Sequence, residues 1–393
     1  MQRDVSAKRS WLDPIYDPKI RGIVFQALLV IALGFLAYEI VTNTIANLKR
    51  QNIASGFDFL ARTAGFEVSQ SVIPYTSTDS YARAFAVGLT NTLLVAALGI
   101  AIATVVGFIV GLGRLSSNWL IAKLSLLYVE VVRNVPLLLQ LFVWYIAVLR
   151  ALPQPHDAKP IAGVFHLDTR GLHGPLPIFG HGWLIVLAAA VGVGLAVTYY
   201  RRAVQRQQLT GVRTPLLWPS LGLILGLPVV AFLLTGASLQ FDHPVLGRYN
   251  FDGGLTLLPE FLALLAGLSF YTASFIAEIV RSGIEGVPRG QKEAADAIGL
   301  TRGQALRLVV IPQALRLIIP PLTNQYLNLT KNSALAVAIG YPDLVSVFAG
   351  TVLNQTGQAV EVVLITMAVY LAISLVTSIL MNWFNARMAI VER

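Results

Sequence analysis

The chain has 393 residues, of which 55% are apolar and only 12% charged, with 29 basic against 20 acidic side chains and no cysteine. Half the usual charged share leaves too little polar surface to cover a water-exposed body of this size. The lack of cysteine excludes a disulfide scaffold, thiolate metal sites and a thiol nucleophile.

A membrane-spanning helix needs about 20 mostly apolar residues, and eight stretches qualify: 22–42, 84–112, 124–149, 183–200, 214–234, 261–280, 313–339 and 360–381. Their connecting segments differ in charge. With the amino terminus on the cytoplasmic side, inner segments hold eighteen Lys and Arg residues and outer segments eight. The positive-inside rule therefore places both termini in the cytoplasm. The net charge of +9 is a topology signal, and a nucleic-acid partner is not expected. The first apolar run is longer than a signal-peptide core and lacks a nearby A-x-A-like cleavage site, so it predicts a retained anchor.

In chain order, residues 1–83 form a cytoplasmic amino terminus, a first span and a periplasmic loop. Residues 84–383 form the main transport domain and 384–393 a cytoplasmic tail. Within the main domain, residues 150–257 form an insertion. Loops rich in Gly, Pro and His flank two modest spans there, joined by the basic run from Arg201 to Arg213. All five histidines, His156, His166, His173, His181 and His243, fall in predicted outer loops. Their spacing matches no metal-ligand set, so they are expected to be solvated.

The loop between the sixth and seventh spans carries its own helix signals. Pro288 can open a helix, Gly299 can end it in a left-handed turn, and Thr301 with Gln304 forms a capping-box pair starting a second helix. Pro312 then marks re-entry into the membrane. Residues 285–312 thus predict a helix, a turn and a helix suited to docking another protein.

Polar groups inside spans are costly and mark candidate functional positions. Asn324, Asn328 and Lys331 share one face of the seventh span, with Gln325 and Asn332 beside them. Pro320 and Pro321 are expected to break that helix. This face is the candidate substrate pathway, although a structural salt bridge from Lys331 to an acidic neighbour accounts for the lysine equally well. Glu278 and Arg281 are spaced to pair as an interfacial anchor, and Arg133, near Pro136, reads as a cytoplasmic helix start from which its side chain snorkels.

Glu293-Ala294-Ala295, three residues, Gly299, nine residues, then Val309, Ile311 and Pro312 resembles the EAA signature of membrane subunits in binding-protein-dependent ABC importers. The runs RNVPLLLQLFVWY at 133–145, GLTNTL at 88–93 and KNSALA at 331–336 are similar to polar amino-acid permeases. WLDPIYDPKIRG at 11–22, GFDFLARTAGF at 56–66 and RLSSNWL at 114–120 resemble general L-amino-acid permeases of Gram-negative bacteria. The resemblance implies an all-α inner-membrane protein with a type I ABC importer permease core, an added amino-terminal helix and an inserted helix pair. It assigns Gly290, Glu293, Ala294, Ala295 and Gly299 to coupling with an ATPase. No Gly-x-x-x-x-Gly-Lys-Ser/Thr occurs, so ATP and Mg²⁺ are expected to bind a partner and no cofactor this chain. The implied partners are an ATPase dimer, a periplasmic amino-acid-binding protein and a second, related permease. An ion-coupled secondary carrier is the rival, because it too needs polar groups at the midplane.

Overall fold

The computed structural model describes residues 18–50, 55–179, 182–211, 215–234, 239–247 and 251–388. Residues 11–17 of the amino-terminal motif, His181, Arg213 and residues 389–393 of the tail lie outside them. Among the described residues seven helices are long and apolar enough to cross a membrane, and one bent pair makes an eighth. The chain divides into two compact units, one of residues 1–89 and 344–373, the other of 90–343 and 374–393.

The first unit contains α1 (Pro18–Arg50), whose apolar side chains are exposed throughout. It also contains the start of α2 (Tyr81–Arg114) and of α11 (Ala359–Met388). Its core is aromatic: Phe59, Tyr81 and Phe348 are buried together with Ala84, Val352 and Val362. The Gly56 amide donates to Glu361 Oε1 at 2.6 Å and Tyr81 Oη donates to Gln355 Oε1 at 3.0 Å. Phe348 lies in a π-helical turn, Val345–Val352, within a segment that hydropathy leaves as a loop.

The second unit carries the remaining spans. Predicted span 124–149 is two helices, α3 (Trp119–Asn134) and α4 (Leu137–Ala151), bent by 108°. The cause is local. Pro136 restricts the residue before it, and Val135 is extended at φ −100°, ψ 129°. Gln140 Nε2 donates to the Val132 and Val135 carbonyls at 2.7 and 2.8 Å, satisfying groups that the break would leave bare.

The insertion contains the expected helix pair, α5 (Gly182–Thr210) and α6 (Leu217–Leu234), and also short strands that apolar spacing did not reveal. β1 (Pro160–Ile161), β2 (Phe165–Asp168), β3 (Gly171–Gly174) and β8 (Leu255–Leu257) form an antiparallel sheet in that order. β4 (Leu176–Phe179) pairs with β5 (Leu239–Asp242), and β6 (Val245–Leu246) with β7 (Phe251–Asp252). The register sets His173 opposite both His166 and Thr256. His173 is therefore fully buried, contrary to the solvated-loop expectation: its Nδ1 is 3.0 Å from Thr256 Oγ1, its Nε2 3.3 Å from the buried Asp168 Oδ2, and Phe251 packs against its ring.

After the sheet come α7 (Pro259–Glu285), α8 (Arg289–Ala297), α9 (Arg302–Ala305), a π-helical turn Leu306–Val310 and α10 (Ile311–Asn332). The residues joining α9, the π turn and α10 keep right-handed helical angles, so the second loop helix runs on through Pro312 into the seventh span as one helix. The wider π turn lies where Pro312 has no amide to donate. Nor do Pro320 and Pro321 break α10. They remove only the bonds to the Arg316 and Leu317 carbonyls, and the ladder on either side carries the helix through. Regular helix ends instead at Asn332, passing into a 3-10 segment, Ser333–Ile339.

The core of this unit joins α2, α7 and α10 through Ala103, Ile276, Val280, Val310, Ala314 and Ile318. α2 approaches α7 closely because Gly107 and Gly111 have no side chain. A Cβ on Gly107 would meet Ile276 at 2.6 Å, and one on Gly111 the Ala277 carbonyl at 2.8 Å. Such small-residue faces bring membrane helices into backbone contact, where dispersion replaces the hydrophobic effect.

Candidate coupling and translocation site

α8 begins directly after Pro288, whose φ of −53° and ψ of 136° serve as a helix entry, and Gln291 N donates to the Pro288 carbonyl at 3.0 Å. It ends at Gly299 with φ +77°. Gly299 N donates to the Asp296 carbonyl at 3.0 Å and Leu300 N to the Ala295 carbonyl at 3.1 Å. Those two bonds form a Schellman cap, which requires the left-handed residue that glycine supplies. The next helix starts on the Thr301–Gln304 capping box, with Thr301 N donating to Gln304 Oε1 at 2.9 Å. Each punctuation mark expected of this loop is in place.

Of the coupling residues, Gly290, Glu293, Ala294 and Gly299 are exposed, whereas Ala295 turns inward at 2% exposure. Ile298 beside them is 76% exposed, an apolar side chain on a polar tip. Arg289, Lys292, Glu293 and Asp296 make no ion pair among the described residues. A cleft of about 660 Å³, lined by Leu112, Leu115, Ile284, Asp296, Arg302 and Leu306, separates α8 from neighbouring helix ends. The result is a short helix held at both ends and open along its outer face.

Near the end of α7, Glu278 pairs with Arg281 at 2.6 Å as spacing suggested, and also with Arg114 at the last residue of α2. Arg281 reaches Glu285 as well. Spacing along one helix finds the first pair but is blind to Arg114, 164 residues away.

On α10 the pathway residues fall on one side. Asn324, Asn328 and Lys331 are exposed and Asn332 half-buried, while Leu322, Leu329 and Thr330 on the other side are buried. Lys331 makes no ion pair among the described residues, so the structural salt bridge weighed for it is not found there. The polar face thus points away from this chain's own core.

A family profile described as "Binding-protein-dependent transport system inner membrane component" matches residues 190–390. The chain is 53% identical over 385 residues, 98% of its length and 96% of the relative's, to the general L-amino acid transport system permease protein AapQ of Rhizobium johnstonii. The chain belongs to this family of inner-membrane transport components. It is also 52% identical to the putative amino-acid ABC transporter permease protein YhdX of Escherichia coli, covering 96% of each chain. With the glutamate/glutamine/aspartate/asparagine transport system permease protein BztB of Rhodobacter capsulatus it shares 41% identity, again over 96% of each. Neither the family description nor these names refers to an ion-coupled carrier.

Family membership makes the chain a multi-pass inner-membrane protein and a transport component. Sequence reasoning placed one polar residue of the bundle wrongly. Arg133 does not start a helix: it closes the last turn of α3, with its guanidinium 5.0 Å from the centre of the Phe275 ring on α7. The nearby Pro136 was the available signal, since a proline within an apolar run marks a break as readily as a beginning.

Proposed function

We propose that this chain is the membrane permease subunit of an ATP-driven, binding-protein-dependent importer of L-amino acids, of broad specificity, working by alternating access. The permease domain is residues 84–383, and both termini face the cytoplasm. α8, through Gly290, Glu293, Ala294, Ala295 and Gly299, docks an ATPase dimer that binds ATP and Mg²⁺. A periplasmic binding protein delivers substrate, and a second, related permease completes the membrane part. Asn324, Asn328, Lys331 and Asn332 line the translocation path.

The carrying observation is α8 itself, a capped nine-residue helix with an exposed face, charges that form no ion pair among the described residues and one bare isoleucine. So short a helix is marginal in isolation. Its ordered caps and open face suit a rigid element with a binding partner. The names of the relatives supply the substrate class. Coupling then requires the ATPase to bind one arrangement of the spans better than the other.

The test is reconstitution of the co-purified complex in liposomes, with the binding protein outside and ATP supplied to the ATPase side. Labelled L-amino acids should accumulate only with hydrolysable ATP. Accumulation by this chain alone under an ion gradient overturns the assignment.

A further inference from the structure

We infer that the ends of α2, α3 and α7 nearest α8 enclose a headgroup site for an anionic phospholipid of the phosphatidylglycerol type, taking from the reading above only that this end is cytoplasmic. A cavity of about 310 Å³ lies there, lined by Arg114 of α2, by Trp119, Lys123 and Leu126 of α3, and by Arg281 and Glu285 of α7. That volume is at the small end for ligand pockets, enough for a headgroup and not for a whole lipid. A tight turn builds it. Asn118 caps α3 by accepting from the Leu120 and Ile121 amides at 2.9 and 3.3 Å. Gly113 lets α3 lie close to α2, since a Cβ on it would meet Ser125 Oγ at 2.5 Å. Trp119, Lys123 and Leu126 then share one face of α3 at helical spacing, and that face lines the cavity.

Charge and depth select the occupant. Glu278 pairs with Arg114 and Arg281, and Glu285 with Arg281. Three cations thus meet two carboxylates, and the odd one is Lys123, exposed and in no ion pair among the described residues. One phosphodiester, with a single negative charge, completes the set, whereas a zwitterionic headgroup brings an ammonium back beside the basic groups. The first turns of α3 follow directly on the turn from α2, so Trp119, 74% exposed, and Lys123 lie at headgroup level, where tryptophan and basic side chains gather. Acyl chains have a place as well. Leu120, Leu124, Leu127 and Val131 form an exposed apolar stripe beside the cavity face, running from headgroup level into the bilayer. A water-soluble phosphate has no use for that stripe, and a lipid uses both.

The test is photo-crosslinking of the assembled complex in phosphatidylethanolamine nanodiscs holding a trace of phosphatidylglycerol with a diazirine on its acyl chain, adducts being mapped by peptide mass. Adducts should fall on residues 119–131. Replacing part of the phosphatidylethanolamine by unlabelled phosphatidylglycerol should suppress them; the same share of phosphatidylcholine, or added glycerophosphoglycerol, the headgroup without chains, should not. Lys123→Gln should raise the share of phosphatidylglycerol needed for half-suppression about fivefold, the effect of one cation at the membrane surface, and Lys159→Gln in the insertion should leave it unchanged. Any one of these results overturns the site: no adduct on 119–131, equal suppression by phosphatidylcholine or by the free headgroup, an unchanged response in Lys123→Gln, or adducts that form only once the ATPase or second permease is removed, which would show protein in the cavity. Import is assayed on the same preparation, and adducts without import sink the importer reading and leave the lipid site standing.

Discussion

Replacing Gly299 tests the docking assignment through backbone geometry alone. Its φ of +77° belongs to the left-handed region, and a Cβ added there meets nothing within 4 Å. Substitution is therefore penalised by conformation and not by collision. The left-handed region costs an L-residue about 1–2 kcal/mol, less for Asn, whose short side chain bonds locally. A loss of that size changes a local equilibrium by a factor of about 5–30. Gly299→Val should insert and assemble normally, retain ATP hydrolysis, and lower ATP-driven uptake within that range. Gly299→Asn should retain more uptake than Gly299→Val although both add bulk at the same point. Gly303→Ala is the control: Gly303 is helical, has open space around it and lies outside the docking residues, so alanine should leave coupling intact and favour the helix by up to about 1 kcal/mol. The assay is uptake and phosphate release measured together in proteoliposomes. Equal impairment by Val and Asn refutes the turn argument, and full uptake by Gly299→Val refutes docking at α8.

Three further perturbations have defined outcomes. Lys331→Met and Asn328→Leu, at normal expression, should each lower uptake about tenfold with ATP hydrolysis retained, as loss of a polar contact to a charged substrate requires; unchanged rates and selectivity remove the pathway role. Asp168→Asn withdraws one buried charge from the His173 network and should destabilise the small sheet by about 1–3 kcal/mol, read as faster proteolysis between residues 160 and 257 of the purified complex, and an unchanged cleavage rate refutes the argument. Glu278→Gln disconnects Arg114 on α2 from α7 and should lower the thermal stability of the complex more than Glu285→Gln, which removes a more exposed pair of about 0–1 kcal/mol at most; equal effects refute the ranking.

How much of this was legible in the sequence depended on the reach of the signal. Pro288, Gly299, Thr301 and Gln304 act through bonds spanning at most a few residues, and each takes up its expected role. The spans follow from apolar length, and the shared face of Asn324, Asn328 and Lys331 follows from helical period. Prolines were harder to judge, because an isolated proline and a proline pair look alike as breakers. Pro136 sits after an extended valine and turns the chain, whereas Pro320 and Pro321 lie in a helix that continues past them. Tertiary surroundings decide which occurs. His173 was illegible for another reason: its burial comes from Thr256 and Phe251, which belong to strands beyond both inserted spans.

The two ends of the proposed mechanism lie on the same pair of helices. α8 is joined by three residues to the end of α7 and by four to the start of α9, which continues into α10. Val280 and Val287 on one side and Val310, Ala314 and Ile318 on the other share a buried core, so the pair is packed together where α8 attaches. Close-packed cores shift between discrete arrangements and resist continuous deformation. A force on α8 therefore moves both helices as one body instead of bending either. α10 carries Asn324, Asn328 and Lys331. Displacing α8 repositions those polar groups directly, with no separate relay between the ATPase and the path. It follows that damage to α8 should reduce the rate of turnover without altering which amino acids are carried, whereas damage to Lys331 should alter both.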